Sequence, residues 1–258
     1  MTAPDREALR VLAEDAPSPS LPPGSASRRI AGDSYTAEIG PQDDPDMNIV
    51  SRLRLDGRDL ATVIAEVHGL FADAGRRAIT WEVSSGATPA GLLEQLRGFG
   101  METHEPASML ALACTAEPSS GDGDGITVAR VETDAQLRDV REVFEQGDGW
   151  SPGDDWLRGP GFVTRYLAFI DGRPVATADI TWLADERAAF LGGALTLPEF
   201  RGRGAYRALV HERWREAGRR GRGVLVTQSE PMSQPILKRL GFEVVYTRVT
   251  LTGPADSF

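Results

Sequence analysis

Two segments of this chain repeat one pattern, and this repeat constrains the fold more than any other feature. Val-His at 67–68 is followed by Ala-Gly-Arg-Arg at 74–77, and Val-His at 210–211 is followed by the same four residues at 217–220. Each segment continues with a strand pattern, a loop containing proline, a short helix pattern and an apolar strand. Chance similarity between two helices is the alternative, but the matching order of elements favours an old duplication.

Polar stretches divide the 258 residues into two repeated units. Residues 17–27 and 117–125 are rich in Pro, Ser, Gly and Asp, a composition typical of linkers. We predict an extension with a linker over 1–29, a domain over 30–115, a linker over 116–125 and a domain over 126–252. Strand and helix patterns alternate, with a hairpin signal at 171–174. The predicted fold class is α/β (α+β), with a mixed central sheet flanked by helices in two pseudo-repeated units.

The composition excludes several classes of function. The net charge of −10 disfavours binding to nucleic acid or to anionic membranes, which need a basic surface, but is compatible with a cationic substrate. Cys114 is the only cysteine and the three histidines are scattered, so neither a disulfide nor a metal site is predicted. No apolar run has the length of a membrane span, and the first ten residues lack an apolar signal segment. We therefore expect a cytoplasmic location.

The stretch most suggestive of chemistry runs from 195 to 206 and reads Leu-Thr-Leu-Pro-Glu-Phe-Arg-Gly-Arg-Gly-Ala-Tyr. Here a strand ends, a glycine-containing turn follows and a helix begins. The N–H groups of such a turn point at one spot, and the helix dipole adds positive potential there. Glycines let the backbone approach a bulky anion, so the stretch predicts a pyrophosphate site. It lacks the lysine of the P-loop and the third glycine of the dinucleotide fingerprint.

This stretch resembles motif A of the GNAT acyltransferases, whose pattern is Arg/Gln-x-x-Gly-x-Gly/Ala. Arg201 and Gly204 match the pattern, whereas Tyr206 departs from it at the last small position. Residues 230–242 resemble the family's next motif, a polar residue at a strand end followed by a short helix and Gly-Phe. The resemblance covers about half of the chain. It implies a GNAT-type mixed sheet that splays open between its fourth and fifth strands, here over 188–197 and 223–227.

The resemblance also implies acetyl-coenzyme A as cosubstrate, with no metal. The pantetheine arm would pair with the strand backbone at 195–197, and the pyrophosphate would lie on the amides of 202–207. The predicted cofactor-binding residues are Leu195, Thr196, Leu197, Arg201, Gly202, Arg203, Gly204, Ala205, Tyr206 and Arg207.

The family's reaction is direct attack of an amine on the thioester, which needs a base and often an acid. The position of the family's usual acid, a tyrosine, is Leu237 here, and the frequent carboxylate of the fourth strand is replaced by Gly192 and Gly193. Glu230, at the position of a motif asparagine, is the candidate base; a solvated or helix-capping carboxylate is the alternative. Ser233 is a candidate donor to the thiol, or an ordinary helix N-cap.

An acidic and aromatic segment follows the first helix of the second domain. Asp148, Asp154 and Asp155 lie there with Trp150 and Trp156, in a predicted loop that borders the acceptor pocket in the family. Aromatic rings and carboxylates suit a cationic amine, although a solvated acidic loop is an equal alternative. Trp150, Asp154 and Asp155 are the predicted substrate-binding residues.

The first half lacks the glycines of the second. The repeat aligns Arg-Asp-Leu-Ala at 58–61 with Arg-Gly-Arg-Gly at 201–204. Side chains would obstruct a phosphate there, and Asp59 would repel it. The first half is therefore predicted to be a degenerate GNAT half.

Three functions remain open from the sequence. The leading hypothesis is an N-acetyltransferase that acts on a small amine. The second is a catalytically silent coenzyme A-binding or regulatory module, and the third is an enzyme that acetylates a tRNA or a protein tail, of which the acidic charge disfavours tRNA. The acceptor, the acyl length and the oligomeric state stay open, with a homodimer as one option.

Overall fold

The computed structural model describes residues 5–15, 27–118, 125–229 and 231–253. Most of both predicted linkers, at 16–26 and 119–124, lies outside the described residues. The helices are α1 (Arg6–Asp15), α2 (Leu60–Ala72), α3 (Leu92–Gly98), α4 (Asp134–Gly147), α5 (Asp154–Arg158), α6 (Ala205–Arg219) and α7 (Gln234–Arg239). The strands are β1 (Arg28–Ala31), β2 (Thr36–Ile39), β3 (Ile49–Ser51), β4 (Ile79–Ser84), β5 (Glu102–Cys114), β6 (Ile126–Arg130), β7 (Val163–Ile170), β8 (Arg173–Trp182), β9 (Ala188–Thr196), β10 (Val224–Ser229) and β11 (Glu243–Gly253).

The chain divides into two compact units. The second-half unit comprises Met1–Pro19 and Leu112–Glu243, and the first-half unit comprises Ser20–Ala111 and Val244–Phe258. No helix among the described residues is long and apolar enough to span a bilayer.

The second-half unit is built on a mixed sheet in the order β6-β7-β8-β9-β10. Neighbouring strands are antiparallel except for β9 and β10, which are parallel. The predicted hairpin at 171–174 joins β7 to β8. Helix α4 buries Val140, Val143 and Phe144 in one cluster with Leu167 of β7 and Leu197, which follows β9. This alternation of elements confirms the predicted fold class.

The sheet of this unit opens between β9 and β10, as predicted. The two strands pair over four residues, from Ala188 with Val224 to Leu191 with Thr227. The hydroxyl of Thr227 donates to the Leu191 carbonyl at 2.8 Å, at the last paired position. Beyond it β9 continues to Thr196 with no further pairing to β10, so its edge towards β10 is left open.

The first-half unit repeats the plan of the second. Its sheet has the order β1-β2-β3-β4-β11, and the succession α2-β4-α3-β5 matches α6-β10-α7-β11 in the other half. Strand β11 pairs with β4 over Arg248–Gly253, and Leu251 is buried in the same core as Trp81. The sequence pattern assigned 126–252 to one domain. In the structure the last strand, β11, instead pairs with β4 and completes the sheet of the first-half unit. The apolar pattern of a strand does not specify its partner, so the sequence could not show this pairing.

Candidate functional site

The N-terminus of α6 is formed by a turn that requires glycine. A 3-10 turn at Pro198–Phe200 follows β9, and Gly202 and Gly204 then take left-handed conformations with φ of 79° and 100°. An L-residue is strained at such φ values. Gly204 is the helix N-cap and has no side chain to accept from the first helical turn.

Five backbone N–H groups at this helix end have no acceptor among the described residues. The first intrahelical hydrogen bond is donated by Ala208 to the carbonyl of Gly204 at 3.0 Å, so the three preceding amides are left over. A Cβ placed on Gly202 would meet no atom within 4 Å, so the space beside the turn is open. The five groups, which we call the α6 cradle, are the N–H groups of Gly202, Gly204, Ala205, Tyr206 and Arg207.

Positive charge surrounds the α6 cradle. Arg201, Arg203 and Arg207 lie in the turn and the first helical turn, which contains no acidic residue. The Arg201 Nε donates to the Thr196 carbonyl at 3.3 Å, and the Arg203 guanidinium lies 5.2 Å from the centre of the Phe200 ring. Cations at a helix N-terminus oppose the helix dipole, so this arrangement favours a bound anion.

The open edge of β9 leads into the α6 cradle. On its other side, β9 pairs with β8 at Leu195 with Thr177 and at Thr196 with Ala176, and the Leu197 amide donates to the Val175 carbonyl at 2.9 Å. An extended ligand could therefore add to the free edge as a strand and place a terminal phosphate group on the cradle. Free amides, an open approach and three arginines fit the pyrophosphate and pantetheine of coenzyme A.

A buried ion pair lies on the neighbouring strands. Arg165 of β7 donates from Nε to Oδ1 of Asp179 at 2.7 Å and from Nη2 to Oδ2 at 2.8 Å. Its Nη1 donates to the carbonyls of Trp156 and Leu157, and its guanidinium stacks on the Trp156 ring at 4.1 Å. On the α6 side, Nη1 of the fully buried Arg213 donates to the Asp179 carbonyl at 2.8 Å.

The carboxylate of this pair borders a β-bulge. The register between β8 and β9 shifts beside Asp179, and Gly193 on the facing strand has a φ of 57°. A Cβ on Gly193 would lie 2.9 Å from Oδ2 of Asp179. Burial raises the pKa of the Asp179 carboxyl, and the charges of Arg165 and Arg213 oppose that rise.

The predicted acceptor segment forms an aromatic cluster. Trp150 and Trp156 pack edge to face at 4.6 Å, and each packs on Phe144 at 5.3 and 5.2 Å. The two indoles remain 44% and 37% exposed. The prediction of a loop was wrong for Asp154–Arg158, which forms the short helix α5. Its acidic residues lie in the first turn and its arginine in the last, an order that the helix dipole favours.

The acidic residues of this segment have different surroundings. Asp154 forms an ion pair with Arg141 of α4, and Oδ1 of Asp148 accepts from the Trp150 amide at 3.0 Å. Asp155 lies exposed in the first turn of α5, where its charge suits the helix dipole.

The predicted catalytic positions are only partly described. Glu230 lies outside the described residues. Ser233 precedes α7 at the N-cap position, where its side chain makes no capping hydrogen bond. Leu237, at the position of the family's tyrosine, is completely buried and cannot donate a proton.

The matching helix end of the first-half unit is closed. Asp59 is the N-cap of α2, and its carboxylate accepts from the Thr62 amide at 2.9 Å and from the Thr62 hydroxyl at 2.7 Å. These hydrogen bonds hold the pKa of the Asp59 carboxyl below its usual range.

Residues 132–242 match the sequence model of the Acetyltransferase (GNAT) family. This segment is a GNAT domain. It contains the α6 cradle, the open edge of β9, the ion pair and the aromatic cluster. A comparison with curated proteins found no match.

Solved structures extend the likeness beyond the GNAT domain. A GCN5-related N-acetyltransferase from Kribbella flavida is similar over 88% of this chain and 90% of its own, with a TM-score of 0.65 and 23% identity. A GCN5-related N-acetyltransferase from Sphaerobacter thermophilus is similar over 87% of this chain and 81% of its own, with a TM-score of 0.63 and 18% identity. A tandem GNAT protein from the clavulanic acid biosynthesis pathway is similar over 96% of this chain and 87% of its own, with a TM-score of 0.58 and 16% identity. These likenesses show that the fold around the GNAT domain is also of GNAT type.

Proposed function

We propose that this protein is an N-acetyltransferase that transfers the acetyl group of acetyl-coenzyme A to the amine of a small acceptor. The observation that carries the proposal is the α6 cradle, whose unpaired amides stand at the end of an open strand edge inside a GNAT domain. Acetyl-coenzyme A would supply the activated acetyl group.

Backbone groups would do most of the cofactor binding. The N–H groups of residues 202–207 would hold the pyrophosphate, with Arg201, Arg203 and Arg207 supplying positive charge. The backbone of Leu195, Thr196 and Leu197 would pair with the pantetheine arm. Because backbone atoms carry these contacts, Tyr206 in place of a small residue is compatible with binding.

The aromatic cluster would receive the acceptor. The exposed faces of Trp150 and Trp156 attract a cation, and Asp154 and Asp155 add negative charge beside them. A small amine is ammonium at neutral pH and suits this surface. No nucleic acid or membrane partner is proposed, because the chain carries a net charge of −10. A cytoplasmic location and a homodimer remain proposals from the sequence.

We propose further that the chain is a tandem of one binding and one degenerate half. The Asp59 cap occupies the helix end that would otherwise receive a phosphate. Ser233 is proposed as a donor to the leaving thiol because of its place in the segment that resembles the family's second motif.

A second candidate function is a silent coenzyme A-binding module. The burial of Leu237 favours it, since that position offers no acid for the thiolate. An assay of thiol release separates the two candidates. With acetyl-coenzyme A and a panel of alkyl, aryl and amino-acid amines, the enzyme would release thiol well above the rate without amine. Binding of coenzyme A without release for any amine would instead identify the silent module.

A further inference from the structure

A carboxylate stands beside the β-bulge although β9 itself carries none. The Asp179 side chain of β8 occupies the place that a side chain at position 193 of β9 would take. A Cβ on Gly193 would lie 2.9 Å from Oδ2 and 3.0 Å from Cγ of Asp179. The neighbouring strand thus supplies a carboxylate where the fourth strand of this sheet lacks one.

We propose that Asp179 is the general base of the transfer reaction, an inference that rests on the proposed N-acetyltransferase function. Oδ2 of Asp179 accepts a hydrogen bond from the acceptor's ammonium group and takes its proton. The freed nitrogen lone pair forms the N–C bond to the acetyl carbonyl carbon. The C–S bond breaks and the thiolate leaves with its electron pair. It takes up the second proton that the nitrogen of the tetrahedral adduct loses, which leaves the amide and the free thiol.

Pairing with Arg165 leaves Oδ2 able to accept a second hydrogen bond. Each carboxylate oxygen has two lone pairs, and Arg165 uses one on each oxygen. The Asp179 side chain keeps 12% of its surface exposed, and Gly193 beside it is exposed. A glycine at 193 lets the carboxylate keep this place, since a Cβ there would collide with it.

The position of Asp179 joins the two proposed binding regions. Arg165 connects its carboxylate to Trp156 of the aromatic cluster, through the carbonyl and the ring face. On the other side, Gly193 lies two residues before Leu195, where the open edge of β9 approaches the α6 cradle. An amine bound at the indoles and a thioester bound along β9 would meet beside this oxygen.

The electrostatic surroundings suit a base. Burial raises the pKa of the Asp179 carboxyl, while the facing charges are Arg165 from β7 and Arg213 from α6, which act in the opposite direction. A carboxylate with a raised pKa is a better proton acceptor near neutral pH.

The first test compares Asp179→Asn with Glu230→Gln, using thiol release with an amine that the wild type acetylates. Asp179→Asn should lower kcat by about 10²–10⁴-fold, keep the affinity for coenzyme A and remove the acidic limb of the pH–rate profile. Glu230→Gln should keep that limb. A folded Asp179→Asn protein with a normal rate and acidic limb would overturn the proposal, as would loss of the limb in Glu230→Gln alone.

The second test keeps the charge of Asp179, because its removal could unfold the protein. It shifts the Asp179 side chain instead, by adding a methyl group in its place. Gly193→Ala places a methyl group against Oδ2, whereas Gly172→Ala adds one in the β7–β8 hairpin at a similar positive φ of 77° with no atom within 4 Å. Only Gly193→Ala should reduce kcat, by at least about tenfold, with coenzyme A affinity retained in both. Equal rates for the two variants would contradict the role of Asp179. If the wild type acetylates no amine, the proposed function itself fails, a result distinct from a wild-type rate that survives both substitutions.

Discussion

The N-termini of α6 and α2 occupy matching places in the two halves, but only that of α2 has a side chain that accepts a hydrogen bond from its first turn. At α2, Asp59 accepts from Thr62 and closes the helix end with an internal anion. At α6, Gly204 offers no cap, and arginines surround amides that have no acceptor in the described chain.

The two halves thus illustrate how one repeated unit can use its helix end either for stability or for binding an anion. A capping carboxylate stabilises its helix with no ligand bound, whereas an uncapped end with added cations gains its anion only when a ligand binds. The first-half unit therefore keeps the fold of the repeat and uses its helix end for stability. The second-half unit leaves the amides of its helix end unpaired among the described residues, where we propose that a phosphate binds.

The largest effect is expected when a carboxylate is introduced at the open helix end of α6. Gly202→Asp introduces the residue that the repeat aligns with Asp59, and its charge would repel a pyrophosphate. Coenzyme A affinity should fall at least about 100-fold by calorimetry, since like charges a few ångströms apart near a surface cost a few kcal/mol.

Gly172→Asp is the matched control for this substitution. Gly172 and Gly202 have φ of 77° and 79°, and a Cβ on either meets no atom within 4 Å, so both variants carry the same strain. If Gly202→Asp bound coenzyme A as tightly as Gly172→Asp, the α6 cradle would not be the phosphate site.

The next effect concerns buried carboxylates, which also differ between the units. Asp179 is bound by Arg165 on both oxygens, whereas Oε1 of Glu38 in β2 is buried with no hydrogen-bond partner in the described chain. Burial raises the pKa of the Glu38 carboxyl from 4.5 to about 7, with Arg29 opposing and Glu82 adding to the rise.

The folded state thus binds this proton more tightly than the unfolded state between pH 4.5 and 7. The free energy of unfolding should rise as the pH falls through that window, by about 3 kcal/mol. Hydrogen exchange of the β2 amides at pH 5 and pH 8 measures this change. Glu38→Gln should remove the pH dependence, and a dependence that persists in this variant would assign it to another group.

A smaller effect is expected when the closed end is opened. Asp59→Ala removes the acceptor of the Thr62 amide, so the unfolding midpoint should fall by about 2–4 °C. Asp73→Ala, at the C-terminal cap of the same helix, should not lower it, because a negative charge there opposes the helix dipole. Should Asp59→Ala create a second coenzyme A site, the missing glycines would not be what closes the first half.

The smallest effect is expected from single arginines. Arg203→Gln should weaken coenzyme A binding by about 2–5-fold and reduce its dependence on salt, since exposed charge pairs contribute little. Arg58→Gln, at the matching turn of the first half, should leave binding unchanged. The same loss in both variants would indicate a general effect of net charge instead of a contact at the α6 cradle.

Local patterns predicted the elements that carry the cofactor proposal. The period of apolar residues gave α6 as 206–218 against the observed Ala205–Arg219, and the resemblance predicted where β9 and β10 separate. Both features depend on residues close in sequence or on a motif. By contrast, the pairing of β11 with β4 depends on contacts between distant segments, and two apolar strands of similar pattern do not distinguish the partners.

The role of Asp179 was missed although the sequence carried a signal for it. Arg165 is the only charge in β7, and Asp179 is the only charge in β8 after Arg173 at its start. The two residues lie opposite each other. Counting back from the hairpin turn at 171–172 pairs Arg165 with Ala178, one residue short of Asp179, because the register between the two strands shifts at Ala168 and Phe169. Two adjacent glycines in β9 are typical of a bulge. The surroundings of the carboxylate could not be predicted, because Trp156 and Arg213 reach it from α5 and α6.

The central claim is that only one of the two repeated helix ends binds the cofactor. Calorimetric titration of the full chain with coenzyme A tests it most directly. We expect one site per chain, which Gly202→Asp removes and Asp59→Ala leaves at unchanged affinity. Two sites per chain, or one site that survives Gly202→Asp and is lost in Asp59→Ala, would contradict it.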